Sequence, residues 1–152
     1  MRLLQALTEA LKDAGATGNA IHSFADEGTI IPTGKNLGHG IEVGRFKYEG
    51  VIQIEDYSDD GRLFIAFVTA WLQENDPERE NMGLKDPDID ISLNDDRTAD
   101  IDMAIEFEEA LEIVPYEDGP ITYNGKKWRI ADVLIDVADT LETLEGAADA
   151  VE

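Results

Sequence analysis

The sequence contains no cysteine, which removes disulfides, thiolate zinc sites and thiol nucleophiles together and leaves stability to packing or assembly. Basic residues are scarce: 12 Lys and Arg stand against 34 Asp and Glu, for a formal net charge of -22. Neutralising phosphates takes clustered Lys and Arg, and the one cluster, Lys126-Lys127-Arg129, is too small to outweigh the surrounding field. Sequence-specific nucleic-acid binding and adsorption to an anionic membrane are therefore not expected. No apolar run approaches the ~18 residues of a bilayer span. Met1-Arg2-Leu3-Leu4 leads into polar residues instead of a signal-peptide core, so the expectation is a soluble chain made in the cytoplasm. Internal repeats, low-complexity tracts and Ser/Pro-rich linkers are missing as well, and 152 residues with 43% hydrophobic content suit one domain with one core.

The charge that is present is unevenly placed. Residues 72–118 hold seventeen acids and three bases, a net of -14 (3 - 17) out of -22, whereas residues 1–20 balance Glu9 and Asp13 against Arg2 and Lys12. Over Met1 to Ala14, Leu3, Leu4, Leu7, Ala10, Leu11 and Ala14 recur at three- and four-residue steps before Gly15, which predicts an amphipathic helix. Ile21–Ala25 and Thr29–Thr33 flank Asp26-Glu27-Gly28, a triplet that suits a tight reversal between short strands, and a glycine-rich loop follows. From Arg45 to Glu55, Phe46, Tyr48, Gly50, Ile52 and Ile54 alternate with Arg45, Lys47, Glu49, Val51, Gln53 and Glu55, which reads as a long strand with one buried face. Ser58-Asp59-Asp60 offers cap oxygens to a helix from Gly61 to about Glu74, with Phe64, Phe67, Val68 and Trp71 as its stripe and Pro77 as its stop.

Ile89, Ile91 and Leu93, a turn at 94–98, then Ile101, Met103, Ile105 and Phe107 predict a hairpin with an acidic outer face. Asn124-Gly125 supplies the two positive-φ residues of a type I′ turn, setting Ile121 opposite Trp128 and Tyr123 opposite Lys126. After Trp128, Val133, Ile135 and Val137 fit a strand while Leu134, Val137, Leu141 and Leu144 fit a helix; strand to about Val137 is the reading adopted.

No motif meets the demands of its chemistry. Asp86, Asp88 and Asp90 have calcium-loop spacing, but Ile91 stands where the loop needs glycine and Arg97 where it needs a bidentate Glu. A looser calcium site on that acidic face competes with the blander reading of a solvated strand face. Between Gly28 and Gly34-Lys35 lie five residues where a phosphate loop has four, and Asn36 replaces the Ser or Thr that would hold magnesium. Gly34, Gly38, Gly40 and Gly44 precede a strand where a dinucleotide motif needs a helix, so a mobile loop meeting a neighbour is expected there. His22 and His39 have no spaced metal-ligand partner. The pairs Glu106 with Glu108 and Asp100 with Asp102 are too numerous a type to single out an acid and a base, and Ser23, Ser58 and Ser92 lack a nucleophile's context.

One family resemblance runs through the middle of the chain. Phe24-Ala25-Asp26-Glu27-Gly28-Thr29-Ile30-Ile31-Pro32-Thr33 and the strand Phe46 to Tyr57 resemble the tail completion protein R (GpR) family of contractile-tailed phages. Ala70-Trp71-Leu72, Asn75, Pro77, Ile89-Asp90-Ile91, Asn94-Asp95 and the alternating Ile101 to Phe107 continue the likeness, in order and at similar spacing, over about 24–114. The resemblance implies a virion assembly protein, a tail-terminator-like ring subunit at the head-proximal end of the tail. It implies no catalytic, cofactor-binding or metal-binding residue, and hence no enzyme.

The resulting expectation is an α+β fold, a largely antiparallel sheet with two amphipathic helices packed on one face. Residues 1–114 form the terminator or completion domain, and 115–152 add a C-terminal hairpin and extension to the same domain. The resemblance implies as partners further copies in a ring, expected as a hexamer to match a tail tube, the tail tube protein, a neck or connector protein, and the tail sheath as a further contact. A neck connector or stopper is the alternative within assembly; a small acidic enzyme or ligand-binding domain is the alternative of another class.

Overall fold

A computed structural model describes residues 1–131, so the expected strand to Val137 and the helical end after it lie outside the described residues. The elements are α1 (Arg2–Asp13), β1 (Ala20–Asn36), β2 (Ile41–Tyr57), α2 (Gly61–Asn75), β3 (Asp88–Leu93), β4 (Ala99–Pro115), β5 (Ile121–Tyr123) and β6 (Lys126–Ile130). The sheet runs β1-β2-β4-β6-β5, with β3 also paired to β4, and β3–β4, β4–β6 and β5–β6 are antiparallel. This is the expected α+β class. The described chain clusters into two compact units, Met1–Ile30 with Phe46–Glu109, and Ile31–Arg45 with residues 110–131.

The first unit holds the main core. Leu4, Leu7 and Leu11 of α1 and Phe64, Val68 and Leu72 of α2 pack on Tyr48, Ile52 and Ile54 of β2 and Ile101, Met103, Ile105 and Phe107 of β4. Both helices thus cover the same sheet face, the one to which the period-two apolar residues of β2 and β4 point. Burying ten or more large side chains of this kind, at about 1.5–3 kcal/mol each, is the main drive for folding. Asp60 caps α2 by accepting from Arg62 N at 2.9 Å, as the Ser58-Asp59-Asp60 reading requires. Past Ala104, where its pairing with β3 ends, β4 is met at Glu106 by the 76–87 segment. Arg79, ion-paired to Asp76 at 2.8 Å, donates to Glu106 O at 3.1 Å and Lys85 O at 2.9 Å.

In the second unit the β1–β2 hairpin closes at Leu37–Gly40, with Leu37 N donating to Gly40 O at 2.8 Å. Ile113 and Trp128 are buried, and Trp128 Nε1 donates to Tyr123 O at 2.7 Å. Buried Glu42 accepts from Thr33 Oγ1 at 2.7 Å and Arg45 at 3.0 Å. The Asn124-Gly125 turn forms with φ of 53° and 72°, and its register is the expected Ile121↔Trp128 and Tyr123↔Lys126.

Four expectations are corrected. Asp26-Glu27-Gly28 does not reverse the chain, because β1 continues through it. Within that triplet Glu27 takes a left-handed φ, 51°, as a bulge residue does, and the chain runs on as strand instead of turning back. Gly28 serves packing: a Cβ there would lie 2.5 Å from Phe46 Cε1, so the ring lies over the glycine. The glycine-rich stretch is mostly strand, with only Leu37–Gly40 left as the turn. On α2 the buried stripe is Phe64, Val68 and Leu72, and Phe67 and Trp71 are only partly covered. Finally, Ile91 and Leu93 of β3 alternate as a buried face should, yet they are 37% and 86% exposed.

Candidate functional site

The residues weighed for chemistry do not converge. Asp88 and Asp90 project from an extended strand, and among the described residues no group of three or more His, Asp or Glu is placed to hold a metal ion. His22 and His39 are both exposed, one on β1 and one in the hairpin turn. Ser23 accepts from Thr8 Oγ1 at 2.8 Å, which ties β1 to α1. Asp100 accepts from Asn94 Nδ2 and from Asp56 N, each at 3.0 Å. Those two bonds, Asn94's first, hold its carboxyl below the usual range, so it acts as an ionised acceptor that closes the β3–β4 turn. A general acid would need the opposite shift.

The most engaged buried group was missed by the sequence reading. Glu109, 6% exposed at its side chain, sits at the start of α1, a helix that has no side-chain cap of its own. It accepts from Arg2 N and Leu3 N, each at 2.9 Å, from the Met1 amine at 3.1 Å, and from the Tyr48 hydroxyl. The first amides of a helix lack internal partners, and Glu109 supplies them from 106 residues away, with the charge that the helix dipole favours. Burial alone would raise its pKa; the hydrogen bonds from Tyr48 and the two amides outweigh that and hold it down. Burial and then Glu109 drive the Tyr48 phenol far upward, so it remains a donor. Parity was the available signal, since Glu109 shares the odd phase of Ile101, Met103, Ile105 and Phe107.

What remains is surface. In the first unit, the sheet face turned away from the helices carries Glu49, Glu55, Asp88, Asp90, Asp102, Glu106 and Glu108 against Lys47 and Lys85. Lys47 lies 3.7 Å from Glu106 and Lys85 3.7 Å from Glu49. Asp90 stands directly opposite Asp102, a like-charge pair that costs a sheet about 0.2–1 kcal/mol. β1, last in the sheet order, is exposed along nearly its whole length, including Phe24, Ile30 and Ile31. A groove of about 300 Å³ runs beside it, lined by Leu4, Gln5, Thr8, Glu9, Phe24 and Ala25. A second of about 320 Å³ flanks α2, but its Arg79 is already spent on Asp76 and two backbone carbonyls. In the second unit the β5–β6 hairpin exposes Lys126, Lys127 and Arg129 with no acid between Ile121 and Ile130. No helix among the described residues is long and apolar enough to cross a membrane.

A family model described as P2 phage tail completion protein R (GpR) matches residues 1–132. A relative from Haemophilus phage HP1 (strain HP1c1), named as an uncharacterized 19.2 kDa protein in the rep-hol intergenic region, is 24% identical over 127 residues, spanning 81% of this chain and 76% of the relative. No solved structure matches the chain.

Proposed function

Because this chain belongs to the P2 phage tail completion protein R (GpR) family, whose role is phage tail completion, we propose that it caps the head-proximal end of the tail tube. The cap stops tube polymerisation and prepares the tail for head joining. The observation that carries this reading is the family match, which spans every described residue. Copies assemble as a ring, hexameric to match the tube, occupying the last annulus with one face toward the tube protein and the other toward the neck or connector, with the sheath as a further contact. The action is steric: further tube subunits find no surface to add to, and no bond is made or broken.

Two features of the molecule support the reading. Among the described residues β1 is the terminal strand of the sheet and is exposed along most of its length, an edge of the kind a neighbouring chain can pair with. The charge of -22 suits a wall beside DNA in transit, since an acidic surface does not retain a passing polyanion whereas a basic one would. The test is removal of the gene from its phage, with electron microscopy of the lysate. Overlong tubes without heads, restored to normal length by adding the purified protein during assembly, are expected. Headed tails of normal length in its absence would overturn the proposal.

A further inference from the structure

Among the described residues the β5–β6 hairpin carries the basic cluster of a strongly acidic chain. Lys126, Lys127 and Arg129 give Ile121–Ile130 a charge of +3 (three bases, no acids) against -22 for the whole. It is also held in one shape. The Asn124-Gly125 turn fixes the register, Trp128 is buried with its Nε1 on Tyr123 O, and the Arg129 guanidinium stacks over the Tyr116 ring at 4.8 Å. None of the three cations forms an ion pair among the described residues. A pre-ordered cation pays little entropy on binding, so this is a surface built to meet an acidic one.

We propose that the hairpin of one copy docks on the β3–β4 face of a second copy, with Lys127 and Arg129 pairing with Asp88 and Asp90 and relieving the Asp90–Asp102 opposition. The spacing matches. Lys127 and Arg129 are two apart on one face of β6, and Asp88 and Asp90 are two apart on one face of β3, so each pair is separated by about 6.6–6.8 Å. All four side chains belong to exposed residues. Arg129 lies over the Tyr116 ring and is exposed, and a guanidinium is the cation suited to a two-pronged bond with a carboxylate. Because the two patches differ, the contact is head-to-tail, the kind that closes a ring or propagates. Copies of charge -22 repel at range, and local pairing of opposite charges is what lets them approach once salt has cut that repulsion to about 8–10 Å. The inference rests on the self-assembly part of the reading above, and deepens it by naming the contact.

The experiment is sedimentation velocity of the full chain at physiological salt, comparing wild type, Lys127→Glu/Arg129→Glu, Asp88→Lys/Asp90→Lys, and an equimolar mixture of the two variants. Lys12→Glu/Arg62→Glu, two exposed reversals on the helices, away from β1 and from both proposed patches, controls for the added negative charge. The expected result is an assembly in wild type and in the control. Each interface variant alone should associate on the order of tenfold or more weakly, the equivalent of about 1.4 kcal/mol, and the mixture should recover, because each reversed patch then meets its complement. Recovery on mixing also shows that both variants are folded. Association of the hairpin variant as strong as wild type, or no recovery on mixing, overturns the docking while leaving tail completion to the tail-length assay. A wild type that is monomeric throughout, or a hairpin that shifts duplex DNA in a gel instead, overturns it as well.

Discussion

Replacing Glu109 by glutamine keeps the side chain's shape and removes its charge, which isolates the contribution of a buried carboxylate to this fold. The carboxylate faces four donors: the Met1 amine, Arg2 N, Leu3 N and the Tyr48 hydroxyl. A carboxamide oxygen can accept from two of them, and its own NH2 then confronts the other two. Each buried donor left unmet costs about 1–3 kcal/mol, and the lost charge at the start of α1 adds about 0.3–1 kcal/mol. Some relaxation of the exposed Met1 is to be expected, so a loss of about 2–5 kcal/mol is predicted. Urea denaturation at pH 7 measures it, and Tyr48→Phe, which removes one donor without a cavity, should cost less. The pH dependence has a definite sign. A carboxyl whose folded pKa is depressed stabilises the fold fully above its unfolded value, about 4.3, and loses that contribution as pH falls through the folded value. Wild type should therefore lose stability through the acid range more steeply than Glu109→Gln. A loss below about 1 kcal/mol at pH 7, with parallel acid limbs, would refute the assignment of Glu109 as the cap of α1.

Phe64→Ala, at a fully buried position, should cost about 3–5 kcal/mol, and Trp71→Ala distinctly less because its ring is only partly covered; denaturation midpoints of the two decide the order. Gly125→Val forces a branched side chain into a φ of 72°, at about 1–2 kcal/mol, and the loosening should appear as faster hydrogen exchange at Tyr123 and Lys126 with β2 and β4 of the first unit unchanged. The protein should give no gel shift with duplex DNA at physiological salt, since -22 repels it; salt-sensitive retardation would contradict the argument for an acidic wall.

The sequence by itself determined what depends on a few consecutive residues. The helix period of Leu4, Leu7 and Leu11, the strand phase of Tyr48, Ile52 and Ile54 and of Ile101 to Phe107, the Asp60 cap and the Asn124-Gly125 turn are all local, because side-chain direction repeats with the backbone's own period. The family likeness was legible for the same reason: it is carried by the order and spacing of these local segments. Tertiary structure alone decided the rest. Asp26-Glu27-Gly28 looks like a turn in isolation, and it is the pairing of β1 with β2 that draws the chain straight through it. Which side of α2 is buried, and that Leu93 is left bare, shows only in the packed molecule. Glu109 reads as one more acid in an acidic strand until α1 comes to lie over it, because the donors that make a buried charge tolerable come from residues a hundred positions away. The basic 126–129 cluster and the acidic outer face of β3 and β4 are local and legible, but only the pairing of β2 with β4 adds Glu49 and Glu55 to that face, since pairing in space sets which side chains share a surface.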